Sequence, residues 1–530
     1  MYSRRQFLST LSVTSGLVMF DLRGLIRSRF RAGYFGLNEF IENNPDAVFV
    51  LRTNVDSKTN STAIKDVGRQ LGVSLFQIKP DANSGFPTSA SVALKPNITW
   101  WSWDQPPIEN VMGIHTDPNF VEGIVGRLTE LSIPAGNISI CEANYHGPDS
   151  IDGKLYAEMA NRTNVGLKNV SAGIGLIDES DVHWVDVPDG LWFKTIPYLW
   201  PTNSSNSCLI NLAKLKSHSM GMTLCAKNIQ GAMARPYVMH CTGWNTEMAG
   251  VDSKHIVPGA FAAIKDNYTR HKNAGIPRWD LPGESSGGLW METWASRCLD
   301  NNSVLKPLIN IVEGVYGREG AFVTGPYDGY GKDILTNVIL FGKNSFHVDV
   351  IGTYLAGHEP GNFGLFHMAK ERKLSKYLNP SEIPLYTWKL DGTATRSVLG
   401  EFSRTPIRTP YLQKAGEEQY HLVNEPYNYT SAVSEPASRL NRPDVFAIQQ
   451  NFPNPFNPST SIQFHIPKAG FVLIEIFDVR GSRVAVLVND HLHAGNHLTV
   501  WRTQNTPSGT YYYRMSFQGS AITRAMVLLR

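Results

Sequence analysis

Four basic side chains lie close together in the stretch INLAKLKSHSMGMTLCAKNIQG, residues 210–231. The stretch begins as an apolar run and then brings Lys214, Lys216, His218 and Lys227 within one short span. A lysine ammonium is a compact positive charge with three donors, which suits a phosphate or carboxylate group. The stretch therefore predicts an anion-binding site, in which a histidine is also available for proton transfer.

Other apolar runs also end in polar residues. SVAL runs into Lys95 and Asn97, and NISIC runs into Glu142. LINIV runs into Glu313, and Asp349 falls in a predicted helix further along the chain. In open α/β sheets the functional residues gather beyond the carboxyl ends of the strands. We therefore expect these side chains to converge with the basic stretch.

The predicted site divides by role. A lysine set holds the anionic group, two asparagines orient it, Glu142 or His218 moves a proton, and the other two carboxylates position a cation or a substrate hydroxyl. The predicted catalytic residues are Glu142 and His218, and the predicted substrate-binding residues are Lys95, Asn97, Lys214, Lys227, Asn228, Glu313 and Asp349. No recognised metal motif is present, so the sequence assigns no metal ligands and identifies no cofactor.

A structural alternative exists for the same residues. The lysines could form ion pairs with Glu142, Glu313 or Asp349 that only hold the fold together. Burying several charges without a ligand is costly, however, and this favours a functional interpretation.

The elements that position these residues form an α/β pattern between about residues 36 and 408. Apolar runs such as AVFVLRT and NVILFG alternate with helical patterns at 119–131 and 346–356. This alternation predicts a mainly parallel or mixed sheet with flanking helices. If 210–218 is a strand, its even-numbered residues share one face. After Gly221 we expect a helix that carries Thr223 and Lys227 on one face and directs backbone N–H groups toward the anion.

The two ends of the chain have other compositions. Residues 409–443 are polar and proline-containing and predict a linker. Residues 444–530 hold short β-rich runs separated by turn residues, which predict a small all-β, immunoglobulin-like sandwich. At the N-terminus, Arg4 and Arg5 precede a moderately apolar segment, so residues 1–30 predict a signal segment.

Several short sequence motifs resemble those of known families. SRRQFL resembles the twin-arginine export signal. LKPNI, CEANY, the 210–231 stretch, IVEGVYGREG and FHVDVIGTYLAGHEP resemble, in this order, domain-of-unknown-function family 362. NFPNPFNPST, IFDVRGSRV and SGTYYYRM resemble the C-terminal sorting domain of type IX (Por) secretion. These resemblances imply an exported protein that meets the export and outer-membrane secretion machinery. They leave open whether it stays in the periplasm, on the outer cell surface or in the medium.

Composition narrows the classes of function. The 530-residue chain has a formal charge of +3 and no long basic run. It therefore does not show the basic pattern that is typical of nucleic-acid-binding proteins. No uninterrupted apolar run reaches the ~18 residues of a membrane span. The five cysteines include no C-x-x-C pair, which disfavours an iron–sulfur cluster. We therefore expect an exported enzyme acting on a small carboxylate- or phosphate-bearing substrate; a ligand-binding protein without catalysis and a cofactor-carrying redox protein are the alternatives.

Overall fold

The chain forms two compact units, the first ending at Tyr427 and the second beginning at Asn428. The computed structural model describes residues 33–98, 112–143, 151–167, 182–202, 204–234, 237, 252–280, 287–320, 331–429, 446–448, 450–451, 454–503 and 506–529. The predicted signal segment, residues 1–30, lies outside these ranges.

Helices of the described residues all lie in the first unit. They are α1 (Glu39–Glu42), α2 (Ser61–Leu75), α3 (Pro118–Glu130), α4 (Ile151–Thr163), α5 (Cys225–Asn228), α6 (Ala260–Asn273), α7 (Gly288–Val304), α8 (Ser345–Leu355) and α9 (Gly364–Glu371). Over the described ranges, none of these helices has the length and apolar character needed to cross a bilayer.

Strands occur in both units. In the first unit they are β1 (Tyr34–Leu37), β2 (Val48–Arg52), β3 (Phe76–Lys79), β4 (Phe86–Pro87), β5 (Ser91–Pro96), β6 (Ile138–Ile140), β7 (Gly166–Leu167), β8 (Val182–Asp186), β9 (Thr195–Leu199), β10 (Ser207–His218), β11 (Gly221–Thr223), β12 (Ile309–Gly320), β13 (Gly331–Gly342), β14 (Leu385–Trp388) and β15 (Ala394–Ser397). In the second they are β16 (Ala447–Ile448), β17 (Ser459–Ile466), β18 (Gly470–Phe477), β19 (Arg483–Leu492), β20 (Gly495–Arg502), β21 (Gly509–Phe517) and β22 (Ser520–Leu528).

The main sheet of the first unit is mixed, as the alternation of strands and helices predicts. Its described strands follow the order β15-β14-β2-β13-β12-β10-β5-β6-β7, and β11 pairs with β10. β12, β10, β5, β6 and β7 run parallel to one another, whereas β13 is antiparallel to β12 and to β2. The carboxyl ends of β5, β6, β10 and β12 therefore lie along one edge, where the site is predicted.

Helices cover one face of this sheet through close packing. α3 begins after Asp117, whose carboxylate accepts the N–H of Asn119, and it buries Phe120, Ile124 and Leu128 at four-residue spacing. This helix confirms the prediction for 119–131. It lies tightly against α2, because a Cβ on Gly123 would stand 2.2 Å from the carbonyl oxygen of Lys65. Only glycine permits that approach.

Part of the predicted linker packs into the first unit. Thr409, Tyr411 and Val423 are buried, and the Tyr411 ring stacks on Phe363 with centroids 4.7 Å apart. Residues 409–427 therefore are not an unstructured connection, although their composition resembles one. Residues 430–443 of the same prediction lie outside the described ranges.

The second unit is a small β-sandwich. Its sheets are β16-β17-β20 and β19-β18-β21-β22, with antiparallel pairing throughout. Alternate residues of both sheets, among them Ile462, Ile474 and Tyr513, share one buried core. The predicted all-β sandwich is confirmed, and its immunoglobulin-like topology stays a prediction.

A buried histidine joins three helices of the first unit. His271 of α6 places Nδ1 2.8 Å from Glu292 of α7 and Nε2 2.9 Å from Glu371 of α9. Because each ring nitrogen faces one carboxylate, the doubly protonated form of the ring is favoured. Burial opposes this charge, but the bonds to Glu292 and Glu371 outweigh burial and raise the pKa of His271 above its usual value.

We expect this histidine to stabilise the fold in a pH-dependent way. Because its folded pKa is raised, its contribution is complete below the unfolded pKa of about 6.5 and is lost as the pH rises through the folded value. Urea unfolding of the wild type and His271→Gln should therefore differ most near pH 6 and progressively less toward about pH 9. A difference that stays constant or grows with pH would contradict this assignment.

Candidate functional site

The parallel strands β5, β10 and β12 carry several of the predicted residues, with Lys95 near the end of β5 and Lys214 and Glu313 inside β10 and β12. Lys95 lies opposite Asn211 of β10, and Lys214 lies opposite Glu313 of β12. Because Asn211 and Lys214 are three residues apart on one strand, Lys95 and Lys214 project from opposite faces of the sheet. The predicted residues accordingly form two clusters.

The Lys95 cluster consists of Lys95, Asn97, Glu142 and Asn228, all buried. Lys95 Nζ donates to Glu142 Oε2 at 2.6 Å and to Asn228 Oδ1 at 3.2 Å. Asn97 Nδ2 also donates to Asn228 Oδ1, at 3.1 Å, and the backbone N–H of Ile98 donates to Glu142 Oε2. Four predicted residues from three segments therefore meet in one hydrogen-bonded group.

Two further asparagines fix this cluster to the sheet. Asn228 Nδ2 donates to Asn211 Oδ1 at 2.8 Å, and Asn211 Nδ2 donates to Asn310 Oδ1 at 2.8 Å. The chain of amides crosses β10 and β12 and holds α5 against the sheet. Asn211 and Asn310 are not among the residues predicted from the sequence. A polar residue inside an otherwise apolar strand is the signal that indicates such positions.

Gly231 lies directly against the ion pair of the Lys95 cluster. A Cβ at this position would stand 2.2 Å from Glu142 Oε1 and 2.7 Å from Lys95 Cε. Its carbonyl oxygen also accepts the N–H of Ala143 at 2.7 Å. The absence of a side chain is therefore required for the backbone to approach the pair.

The Lys214 cluster consists of Lys214, Glu313, Tyr316, Asp117 and His115. Lys214 Nζ donates to Glu313 Oε2 at 2.6 Å and lies 3.5 Å from the centroid of the Tyr316 ring. Tyr316 Oη donates to Asp117 Oδ2 at 2.5 Å. Burial raises the pKa of Glu313, and the adjacent Lys214 opposes that rise.

His115 belongs to the same cluster, and the sequence analysis did not identify it. Its side chain is buried, and Nε2 has no hydrogen-bond partner among the described residues. Burial, together with the charges of Lys214 and Lys216, lowers the pKa of His115 to about 3. The ring is therefore neutral at ordinary pH.

Lys216 connects the two clusters electrostatically. Its ammonium donates to the carbonyl oxygen of Ile114. Burial lowers the pKa of Lys216 far below its usual value; the positive charges of Lys227, Arg318 and Lys214 lower it further, and Glu142 acts in the opposite direction. Positive charges thus dominate the field at this buried nitrogen, and such a field favours an anion.

His218 lies at the end of β10, where the chain turns into β11. Its Nδ1 accepts the N–H of Met220 at 3.1 Å, so the hydrogen of the neutral ring is on Nε2. Gly221, with φ of +107°, permits the tight turn. Thr409 Oγ1 lies 2.7 Å from the carbonyl oxygens of both His218 and Gly221, and so the 409–427 segment holds this turn in place.

The prediction of a helix directly after Gly221 is wrong for its first residues. Thr223 lies in strand β11, opposite Lys216, and α5 begins only at Cys225. Asp349 of α8 is the reason, because its carboxylate accepts the N–H of Cys225 at 2.7 Å and of Ala226 at 2.9 Å. These two N–H groups are therefore bound by a side chain of this protein and do not point toward an external anion.

Of the remaining predicted residues, Lys227 lies in α5 and Asp349 lies in α8 at the start of α5. Burial raises the pKa of Asp349 to about 7, against the effect of its two backbone donors. Lys227 is 8% exposed and belongs to α5 itself. Among the described residues, no group of three or more histidines, cysteines and carboxylates is placed to hold a metal ion.

Two regions of the chain match known family models. Residues 92–354 match the family described as domain of unknown function (DUF362), and residues 450–529 match the secretion system C-terminal sorting domain. Every predicted site residue falls inside the first match. No curated protein matches the chain at a significant level.

The chain therefore contains a region that matches DUF362, followed by a region that matches a secretion sorting domain. The sorting domain defines an exported protein, secreted or at the cell surface, that interacts with the type IX secretion machinery. Both resemblances predicted from the sequence are confirmed, whereas the twin-arginine signal stays a prediction.

Proposed function

We propose that this exported protein is an enzyme that acts on a small substrate bearing a carboxylate or phosphate group. The observation that carries the proposal is the burial of four cationic side chains in one region of the fold, namely Lys214, Lys216, Lys227 and Arg318. The other three charges act on Lys216 and lower its pKa, in addition to the effect of burial. Lys214 and Arg318 are each paired with a buried carboxylate, Glu313 and Asp333, but the further buried lysines beside them add costs of desolvation and repulsion. An anionic ligand offsets both.

The contacts support a proposed role for each residue. Lys227, with Lys216, holds the anionic group at the strand ends, and Asn97 and Asn228 keep the Lys95 cluster oriented. His218 donates from Nε2, because its Nδ1 accepts a backbone N–H. Glu142 is the proton acceptor of the Lys95 cluster, and Glu313 and Asp349 fix Lys214 and the start of α5.

A binding protein without catalysis is the second candidate. The ion pairs of Lys95 with Glu142 and of Lys214 with Glu313, both at 2.6 Å, favour it, because carboxylates already bonded to lysines are poorly available for proton transfer. A screen of short-chain carboxylates, phosphate monoesters and acyl phosphates separates the two candidates. Turnover of any member establishes the enzyme, and saturable binding without turnover establishes the binding protein.

Removal of the central charges tests the anion site itself. We expect Lys216→Met and Lys227→Met each to weaken the binding of inorganic phosphate or acetate by about tenfold or more, measured by calorimetry. Lys216→Met should at the same time leave the melting temperature unchanged or higher, because it removes a buried charge. Lys376→Met is the control, since that side chain is 64% exposed and should change neither property. Full binding in both central variants would refute the site.

A further inference from the structure

A small cavity lies between α5, α7, α8 and the 409–427 segment. Its volume is about 20 Å³, measured to the centre of a water molecule, which is the space of about one water. The apolar part of its wall comes mainly from sulfur-containing and aromatic side chains. These are Met220, Met222, Met291, Trp294, Phe363 and Phe366. A cavity of this size admits a single water molecule and no larger ligand.

Two hydroxyl groups line this cavity from distant parts of the chain. Thr353 lies in α8 and Tyr411 in the 409–427 segment, and each is 1% exposed. Neither Thr353 Oγ1 nor Tyr411 Oη has an acceptor for its hydrogen among the described residues. Burial raises the pKa of Tyr411, and the N–H of Gly364, which can only donate, opposes that rise. Both hydroxyl groups therefore keep a hydrogen, and burying it without an acceptor costs free energy.

Asp349 adds an acceptor to the same cavity. The wall includes its side chain, and its carboxylate accepts the N–H groups of Cys225 and Ala226 and a bond from the Cys225 thiol. A carboxylate has about four acceptor positions, so one position remains for a donor in the cavity. Lys227 also lines the wall, but the arrangement of two donors and one acceptor is complete without it.

We propose that the cavity is a binding site for one water molecule, which accepts from Thr353 and Tyr411 and donates to Asp349. A buried water makes about three hydrogen bonds to polar groups that otherwise lack partners, and this site offers that number. The water connects the 409–427 segment to α8 and, through Asp349, to the start of α5. Because α5 carries Asn228 of the Lys95 cluster, the water contributes to the position of the candidate site. This inference does not depend on the proposed function.

Thr353→Val tests the site through the sign of a stability change, because valine keeps the shape of threonine and removes only the hydroxyl. If the water is bound, the change removes one of its partners and should lower the melting temperature of the full-length protein by about 1–3 °C. In a cavity without water the same change removes a hydroxyl that has no acceptor, so the melting temperature would stay or rise. An unchanged or higher value overturns the proposal.

A double-mutant cycle tests whether one water serves both hydroxyl groups. Tyr411→Phe keeps the ring that stacks on Phe363 and should also lower the melting temperature. After Thr353→Val has weakened the binding of the water, Tyr411→Phe should cost clearly less than it does in the wild type. Tyr198→Phe is the control, because its hydroxyl donates directly to Asn301 Oδ1 at 2.6 Å and its loss should simply add to that of Thr353→Val. Additive losses for both tyrosines would refute a shared water.

A crystal structure of the full-length protein locates the water directly. We expect one density peak in the cavity at hydrogen-bonding distance, about 2.7–3.0 Å, from Thr353 Oγ1 and Tyr411 Oη. The peak should be lost or displaced in the double variant Thr353→Val with Tyr411→Phe. A wild-type cavity without density, at a resolution that shows other buried waters, overturns the proposal.

Discussion

Replacing Glu313 by glutamine is expected to lower the free energy of unfolding by about 3–5 kcal/mol. The side chains of Glu313 and Lys214 are both fully buried, and the ammonium lies 2.6 Å from the carboxylate. The amide of glutamine cannot compensate the charge of Lys214, so the variant leaves a fully buried ammonium without its carboxylate partner. Urea unfolding followed by circular dichroism and tryptophan fluorescence measures the loss.

A second variant separates loss of charge balance from loss of shape. Lys214→Met combined with Glu313→Gln removes both charges and should regain at least half of the lost stability, because the desolvated ammonium is gone. Glu130→Gln is the matched control: Glu130 pairs with Arg69 at 2.8 Å but both side chains are substantially exposed. That change should cost less than about 1 kcal/mol. Equal losses in Glu313→Gln and Glu130→Gln would contradict the assignment.

The proximity of Lys95 and Glu142 could be predicted because both residues lie at the carboxyl ends of neighbouring parallel strands. The apolar runs before Lys95, Glu142, Lys214 and Glu313 are visible in the sequence. β5 and β6 end near Lys95 and Glu142, whereas β10 and β12 continue past Lys214 and Glu313 to His218 and Gly320. Composition and motif also predicted the α/β domain and the C-terminal sandwich, since both depend on local patterns.

The pairing within the site could not be predicted, because it depends on strand register. The register that sets Lys95 opposite Asn211 sends Lys95 and Lys214 to different faces, and a bulge between Lys214 and Lys216 alters the pattern further. Neither feature has a signal in a single sequence. The sequence therefore predicts one common pocket for all the lysines, whereas the structure divides Lys95 and Lys214 between two clusters.

Long-range capping and packing could not be predicted from local sequence patterns either. Asp349 sets the start of α5 from more than a hundred residues away, which local helix signals cannot report. The same holds for residues 409–427, whose polar, proline-containing composition indicated a linker. Arg278 binds Glu417 of this segment at 2.5 Å, and such a distant ion pair gives order to a sequence without periodicity.

Gly231→Ala is expected to disrupt the Lys95 cluster and to destabilise the protein by about 3 kcal/mol or more. The new methyl group would stand 2.2 Å from Glu142 Oε1, and the buried Lys95 on its other side leaves the carboxylate no space to move without breaking the ion pair. Gly126→Ala in α3 is the control, because nothing lies within 4 Å of its added Cβ. That helical substitution should stabilise by about 0.4–1 kcal/mol.

A double-mutant cycle identifies the cause of the Gly231→Ala effect. In a Glu142→Ala background the clashing oxygen is absent and the ion pair is already lost, so adding Gly231→Ala should cost much less than it does in the wild type. A coupling of about 2 kcal/mol between the two positions is expected on this basis. If the two losses simply add, the destabilisation comes from the backbone of 231 and not from the pair of Lys95 with Glu142.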